Sequence, residues 1–176
     1  MSSMRDIKQR INNVSSVGQI VKAMDMVAST KLIKARAQLE GIRPIYSELS
    51  HIAKELGCKK DIETYPFYEK REVKNSLYII ITSDSGLSGS YNSNILAKAL
   101  KHMNQGKNEK IVIVGAKGNE YFKRQNKNII RTATNVADAQ VYYGAQTHAK
   151  WLKDFYLTGE VDEVFIAYTH FESVLS

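Results

Sequence analysis

Cysteine is almost absent from this 176-residue chain. The single Cys58 excludes an internal disulfide framework and any zinc site built from several thiolates, and it suits a reducing compartment. Long apolar runs are missing too. No stretch reaches the about 18 consecutive apolar residues of a membrane-spanning helix. The opening MSSMRDIKQRI lacks the apolar centre of a secretory signal and reads as a helix start, with Ser3 and Asp6 at the spacing of a capping box. Histidine is sparse: His51, His102, His148 and His170 fall in separate segments without an H-x-x-x-H pair, so no metal-ligand pattern emerges. Acid is scarcer than base, with 18 Asp and Glu against 25 Lys and Arg and a net charge of +7. That balance calls for an acidic partner: nucleic acid, an anionic membrane or an acidic protein surface. A hydrophobic share of 43% supports a real core and argues against wholesale disorder. The length admits one ordinary domain plus a long helix, and is too short for two full domains.

What the chain has in abundance is an unbroken apolar seam. Ile7, Ile11, Val14, Val17, Val21, Met24, Ala28, Leu32, Ala35, Leu39, Ile42, Tyr46, Leu49, Ala53 and Leu56 advance by threes and fours. Their mean spacing of about 3.5 is the period of a left-handed coiled coil. A helix from about Ser3 to Leu56 would be on the order of 80 Å long at 1.5 Å per residue, and a rod of that length needs a partner. Pro44 is its one irregularity; a proline inside a helix costs roughly 3 kcal/mol and predicts a kink or local break between Gly41 and Pro44. The seam keeps its phase on both sides, which favours one bent rod over two helices.

The texture changes after a polar connector. Short β-rich runs at Leu77–Thr82, Ile111–Val114, Ile129–Ile130 and Val164–Tyr168 alternate with helical stretches at Tyr91–Met103, Asn119–Gln125 and Ala137–Leu157. The expected architecture is α/β: a long N-terminal coiled-coil helix over 1–57, a connector over 58–74, and a Rossmann-like βαβ domain with a mostly parallel sheet over 75–176.

The glycine- and serine-rich turn from Ser83 to Ser90 sits where doubly wound folds place ligands. Its chemistry does not follow. Gly86 and Gly89 give G-x-x-G, neither the dinucleotide fingerprint nor a Walker loop, and Gly86-Leu87-Ser88-Gly89-Ser90 lacks the closing glycine of a nucleophile elbow. No cofactor and no catalytic residue are expected. Asp162 and Glu163 read as solvated turn residues before a strand. The basic residues say more: Lys22, Lys31, Lys34 and Arg36 cluster on the first half of the long helix, diluted only by Asp25. Charge of this kind is often an ordinary solvated face. Here Met24, Met26 and Val27 interleave with it, which widens the apolar band beyond one seam and suits a helix enclosed by several neighbours.

The segment Gln19-Ile20-Val21-Lys22-Ala23-Met24-Asp25-Met26-Val27-Ala28-Ser29-Thr30-Lys31-Leu32 closely resembles the N-terminal pattern K-I-T-K-A-M-x-M-V-A-A-x-K-L of the gamma subunit of F-type ATP synthases. Ser83 to Asn92 is similar to that family's S-D-R-G-L-C-G-x-x-N. Val114-Gly115-Ala116-Lys117-Gly118 and the stretch from Asp162 to Phe171 match further motifs in the same order, so the resemblance covers essentially the whole chain.

The resemblance implies a non-catalytic central-stalk rotor subunit, coupling transmembrane ion flow to ATP synthesis or hydrolysis in a ring of alpha and beta subunits. The domain would sit beside the epsilon subunit and the membrane c-ring. Membrane contact would come only through the complex, at the cytoplasmic face of a bacterial membrane. It also implies that Lys22, Met24, Met26, Lys31 and Lys34 meet an acidic loop of the beta subunit, and that Gly86, Leu87, Ser88 and Gly89 lie near the membrane ring. Two positions depart from the pattern: Ser85 stands where arginine is usual and Ser88 where cysteine is common. The match stops at Ser176, so the family's C-terminal shaft helix is expected to lie outside this sequence, which reads as a fragment. Its bare seam is then predicted to self-associate or fold against the α/β domain. The alternatives are a basic helical nucleic-acid-binding module, for which base-stacking aromatics and a groove-reading motif are missing, and a nucleotide-dependent enzyme on the βαβ domain.

Overall fold

The computed structural model describes residues 3–59, 62–103, 108–136 and 140–173, and the chain divides into two units, Met1–Ile62 and Glu63–Ser176.

The first unit is one helix, α1, over Met4–Gly57. Its start is the expected capping box: the Arg5 N–H donates to Ser3 Oγ at 3.2 Å and the Ser3 N–H to Asp6 Oδ2 at 2.9 Å. One helix runs uninterrupted through Pro44, as the unbroken phase of the seam favours, and there is no local break there. Proline removes one N–H, which leaves the Glu40 carbonyl without its usual donor, while the ladder on both sides is long enough to hold the phase. Arg36 and Glu40 add an exposed ion pair of 2.7 Å one turn earlier. None of the α1 residues is buried.

The second unit opens with a short 3-10 turn at Ile62–Thr64, part of which belongs to the first unit, and continues through β1 (Asn75–Ile81), α2 (Tyr91–Met103), β2 (Asn108–Val114), α3 (Ala116–Arg124), β3 (Ile129–Ala133), α4 (Val141–Leu157) and β4 (Glu163–Ala167). The strands form one parallel sheet in the order β3-β2-β1-β4, with Tyr78 opposite Ile111 and Phe165. Alternation along the strands splits the core in two. Tyr78 and Ile80 with Ile111 and Ile113 face α2 and α3, where Leu96, Ala99, Met103 and Phe122 complete one packed layer. Leu77 and Val112 face the other way, with Val161 and the partly buried Trp151, Leu152 and Phe155.

The predicted helix Tyr91–Met103 coincides with α2. The predicted start of α4 at Ala137 differs: α4 begins at Val141, and residues 137–139 lie outside the described ones. Part of the expected connector is docked. Arg71 lies over the Tyr156 ring at 4.5 Å and donates to the Tyr156 carbonyl at 3.2 Å, and Phe67 stacks on the same ring at 5.6 Å. Asp162 pins the strand entry by accepting the Lys74 and Asn75 N–H groups at 2.9 and 2.8 Å. Those two bonds, the Asn75 one first, hold its carboxyl below the usual carboxylate range.

Candidate functional site

The carboxyl end of β1 is the central position of this sheet, beside the point where the strand order reverses, and there parallel α/β folds gather ligands. Here the chain fills the position itself. Three consecutive residues, Thr82, Ser83 and Asp84, satisfy the first three amides of α3. The Ala116 N–H donates to Asp84 Oδ1 at 2.8 Å, the Lys117 N–H to the Ser83 carbonyl at 3.1 Å, and the Gly118 N–H to Thr82 Oγ1 at 2.9 Å. A helix N-terminus carries unpaired donors and partial positive charge, which is what a phosphate would use. At α3 the Asp84 carboxylate takes that place.

This approach explains the glycines at 115 and 118. A Cβ on Gly115 would stand 2.2 Å from the Thr82 carbonyl oxygen, and the residue has φ +103°, a region closed to most side chains. A Cβ on Gly118 would meet Thr82 Oγ1 at 2.8 Å.

The turn itself is tied from within. Asn92, in the first turn of α2, accepts the Ser83 N–H on Oδ1 at 3.0 Å, and its Nδ2 donates to Ser83 Oγ at 2.8 Å and to Ser88 Oγ at 3.1 Å. Ser83 Oγ donates to the Ser85 carbonyl at 2.6 Å. Thus Ser88, where the family pattern often has cysteine, is a strut of the loop here. Around this frame the four predicted contact residues project differently. Nothing lies within 4 Å of a Cβ built on Gly86 or Gly89, so both border open space. Leu87 is 93% exposed and sits at φ +61°, a left-handed conformation that costs a leucine about 1 kcal/mol or more. The loop thus holds an apolar side chain in water at a cost in backbone strain.

The remaining predicted residues lie on α1, in the other unit. Met24 and Met26 are 51% and 72% exposed. Successive helical residues turn by about 100°, so Met24 lies on the seam while Met26 is about 200° away. Lys22 shares the flank of Met26, one turn earlier; Val27, Lys31 and Lys34 share another at helical spacing. Lys31 comes round to within about 20° of Met24, so the five predicted residues cover about 200° of the helix circumference, more than a single flat surface reaches.

Thr82, Asp84, Asn92, Gly115 and Gly118, which build the loop, were not singled out as a network from sequence; their only local signal is a run of polar residues ending an apolar strand. Among the described residues no group of three or more His, Cys, Asp or Glu could hold a metal ion, and no helix is long and apolar enough to cross a membrane.

A profile of the ATP synthase family matches residues 3–176. The ATP synthase gamma chain of Moorella thermoacetica is 38% identical over 176 residues, 99% of this chain and 62% of that protein. The gamma chain of Desulforamulus reducens is 36% identical and is likewise covered over 62% of its length. The sodium-ion-specific gamma chain of Acetobacterium woodii is 34% identical over 99% of this chain and 58% of its own. The chain thus spans about three fifths of the length of these relatives. Among solved structures, the rotor of Euglena gracilis mitochondrial ATP synthase in rotational state 1 has the same fold, with a TM-score of 0.60 at 19% identity, over 98% of this chain and 59% of that one.

Proposed function

Since the chain belongs to the ATP synthase gamma-chain family, we propose that it is the central-stalk part of an F-type ATP synthase, a rotor element without an active site of its own. The observation that carries this reading is α1: none of its residues is buried, although an apolar seam follows its whole length. A helix so exposed requires enclosure. Lys22, Met26, Val27, Lys31 and Lys34 spread over about half of its circumference beside the seam, which supports contact on more than one side, as the alpha and beta subunits would provide. Charge would draw the helix to acidic loops while methionine side chains permit slip.

The α/β unit would carry the contacts with the epsilon subunit and the membrane c-ring, through Gly86, Leu87, Ser88 and Gly89. Association with the membrane would be peripheral, on the cytoplasmic face in a bacterium. The occupied N-terminus of α3 supports a structural rather than nucleotide-binding use of the β1 end. The nucleic-acid alternative finds no support in the comparisons.

The test is a graft. The chain replaces the matching portion of the Moorella thermoacetica gamma chain, and the complex is assembled with that organism's alpha, beta and epsilon subunits and membrane sector. The expected result is an assembled complex whose ATP hydrolysis drives ion pumping. Combining Lys31→Glu, Lys34→Glu and Met24→Ala should lower the ions pumped per ATP hydrolysed. Failure to assemble, or unchanged coupling in the triple variant, would refute the proposal.

A further inference from the structure

The seam of α1 is open along its length: Val17, Val21, Ile42 and Tyr46 are each 57–66% exposed. An apolar stripe of this period is complemented by another helix of the same period. The seam carries that complement within itself. Turned end for end, with residue n opposite residue 63 − n, it falls on its own copy: Val17 meets Tyr46, Val21 meets Ile42 and Ala28 meets Ala35. Leu32 then lies beside the two-fold axis.

A parallel pair would also bring seam to seam, and packing and charge separate the two arrangements. In parallel every seam residue would face itself, with Tyr46 against Tyr46 and Val17 against Val17, a swollen layer and a thin one. The antiparallel pair sets small against large in these layers. Asp25 and Arg36 each directly follow a seam residue, so they flank the seam on the same side. End for end they come beside one another across the interface, twice in a two-fold pair. The parallel pair would instead bring Lys31 beside Arg36 of the second copy, also twice. The antiparallel pair has one such repulsion, between Lys31 and its own copy at the axis. Fifteen seam residues from each copy would take on the order of 2,000 Å² out of water, the size of a stable and specific interface.

We propose that α1 is a self-recognition surface, through which two copies of this chain pair as an antiparallel coiled coil in the 63 − n register, with Asp25 and Arg36 as the charged contacts beside the seam. The proposal concerns the chain outside any larger assembly and does not rest on the rotor reading.

Sedimentation equilibrium of the 176-residue protein across a wide concentration range should show a reversible monomer–dimer equilibrium. The exposed Cys58, the only cysteine, caps α1 and takes a fluorescent label. With donor and acceptor on Cys58 of separate copies, energy transfer should be absent, because the antiparallel pair holds the two on the order of 80 Å apart. Moving the acceptor with Arg5→Cys in a Cys58→Ser background should give strong transfer, since position 5 lies opposite position 58. Val21→Lys should weaken the dimer at least tenfold. At low salt Asp25→Arg should weaken it about tenfold, and adding Arg36→Asp should restore it. Both single variants change exposed residues of a helix that has none buried, so the fold is retained. A monomer at every concentration, transfer between two Cys58 labels, or a dimer indifferent to Val21→Lys and Asp25→Arg would each overturn the proposal.

Discussion

Replacing Gly115 by alanine tests the account of the β1 end. The added Cβ would lie 2.2 Å from the Thr82 carbonyl oxygen and 2.6 Å from both its carbon and Oγ1. The oxygen and carbon are backbone and cannot rotate aside, so the turn must retreat by about 1 Å to reach a tolerable contact. Holding alanine at φ +103° adds about 1–3 kcal/mol of strain. Retreat also stretches the bonds from Thr82 N–H to the Val114 carbonyl (2.7 Å), from Gly118 N–H to Thr82 Oγ1 and from Ala116 N–H to Asp84. At about 1 kcal/mol each, less for a bond that re-forms through water, the total loss is about 3–6 kcal/mol. That is a large part of a typical domain stability of about 5–15 kcal/mol. Urea unfolding followed by circular dichroism and Trp151 fluorescence measures the loss. Hydrogen exchange should speed first at the amides of Ala116, Lys117 and Gly118. Gly144→Ala is the control: nothing lies within 4 Å of its Cβ, and a helical glycine replaced by alanine gains roughly 0.5–1 kcal/mol. A loss below about 1 kcal/mol for Gly115→Ala would refute the reasoning, because neither the strain nor the network could then be as described.

Three further outcomes follow from the same geometry. Asp84→Ala should destabilise the domain by about 1–2 kcal/mol in denaturant unfolding, while Asp84→Asn, which keeps an acceptor for the Ala116 N–H, should recover about half of that. Asp162→Asn should lower stability at pH 7 by about 1 kcal/mol, solvent screening included. Its folded-state pKa is depressed, so the contribution is whole above the unfolded carboxylate value of about 4 and fades as pH falls through the folded one; melting curves of wild type and variant should therefore converge in acid. Burial, and then the nearby Arg131, lower the pKa of His148, so stability is full above about pH 6.5 and declines as pH falls from there toward the folded value. His148→Phe should flatten that decline in a pH series of melting temperatures.

Legibility followed the range of the forces involved. Both ends of α2 could be read because its signals are local: a glycine- and serine-rich turn before Tyr91, then inward apolar residues at Ile95, Leu96, Ala99 and Met103. β2 was read only over Ile111–Val114, although it begins at Asn108. Its first residues are polar and become strand through pairing with Asn75 to Leu77, a partner some thirty positions away. The start of α3 was placed at Asn119 instead of Ala116 because Gly115-Ala116-Lys117-Gly118 has the composition of a turn. Gly118 is helical all the same, and its lack of a side chain serves the approach of Thr82. At Pro44 the constant phase of the seam was a better guide than the proline: it favoured one rod, and one lost hydrogen bond does not outweigh a long continuous ladder. At the β1 loop, the exposed pair of Gly86 and Gly89 with Leu87 was legible as a surface turn. Its inner frame was not, because the partners of Thr82, Ser83 and Asp84 lie on another helix.

The reach from Thr82–Asp84 to α3 also sets an order of events during synthesis. The three acceptors leave the ribosome more than thirty residues before the amides they satisfy, and β2 emerges in between, ready to pair with β1. Residues 75–124 can thus close into a β-α-β-α half while translation continues. β3 then adds beside β2, and β4 comes later still, slotting against the uncovered side of β1. A nascent chain arrested after α3 and probed by limited proteolysis should already protect that first half.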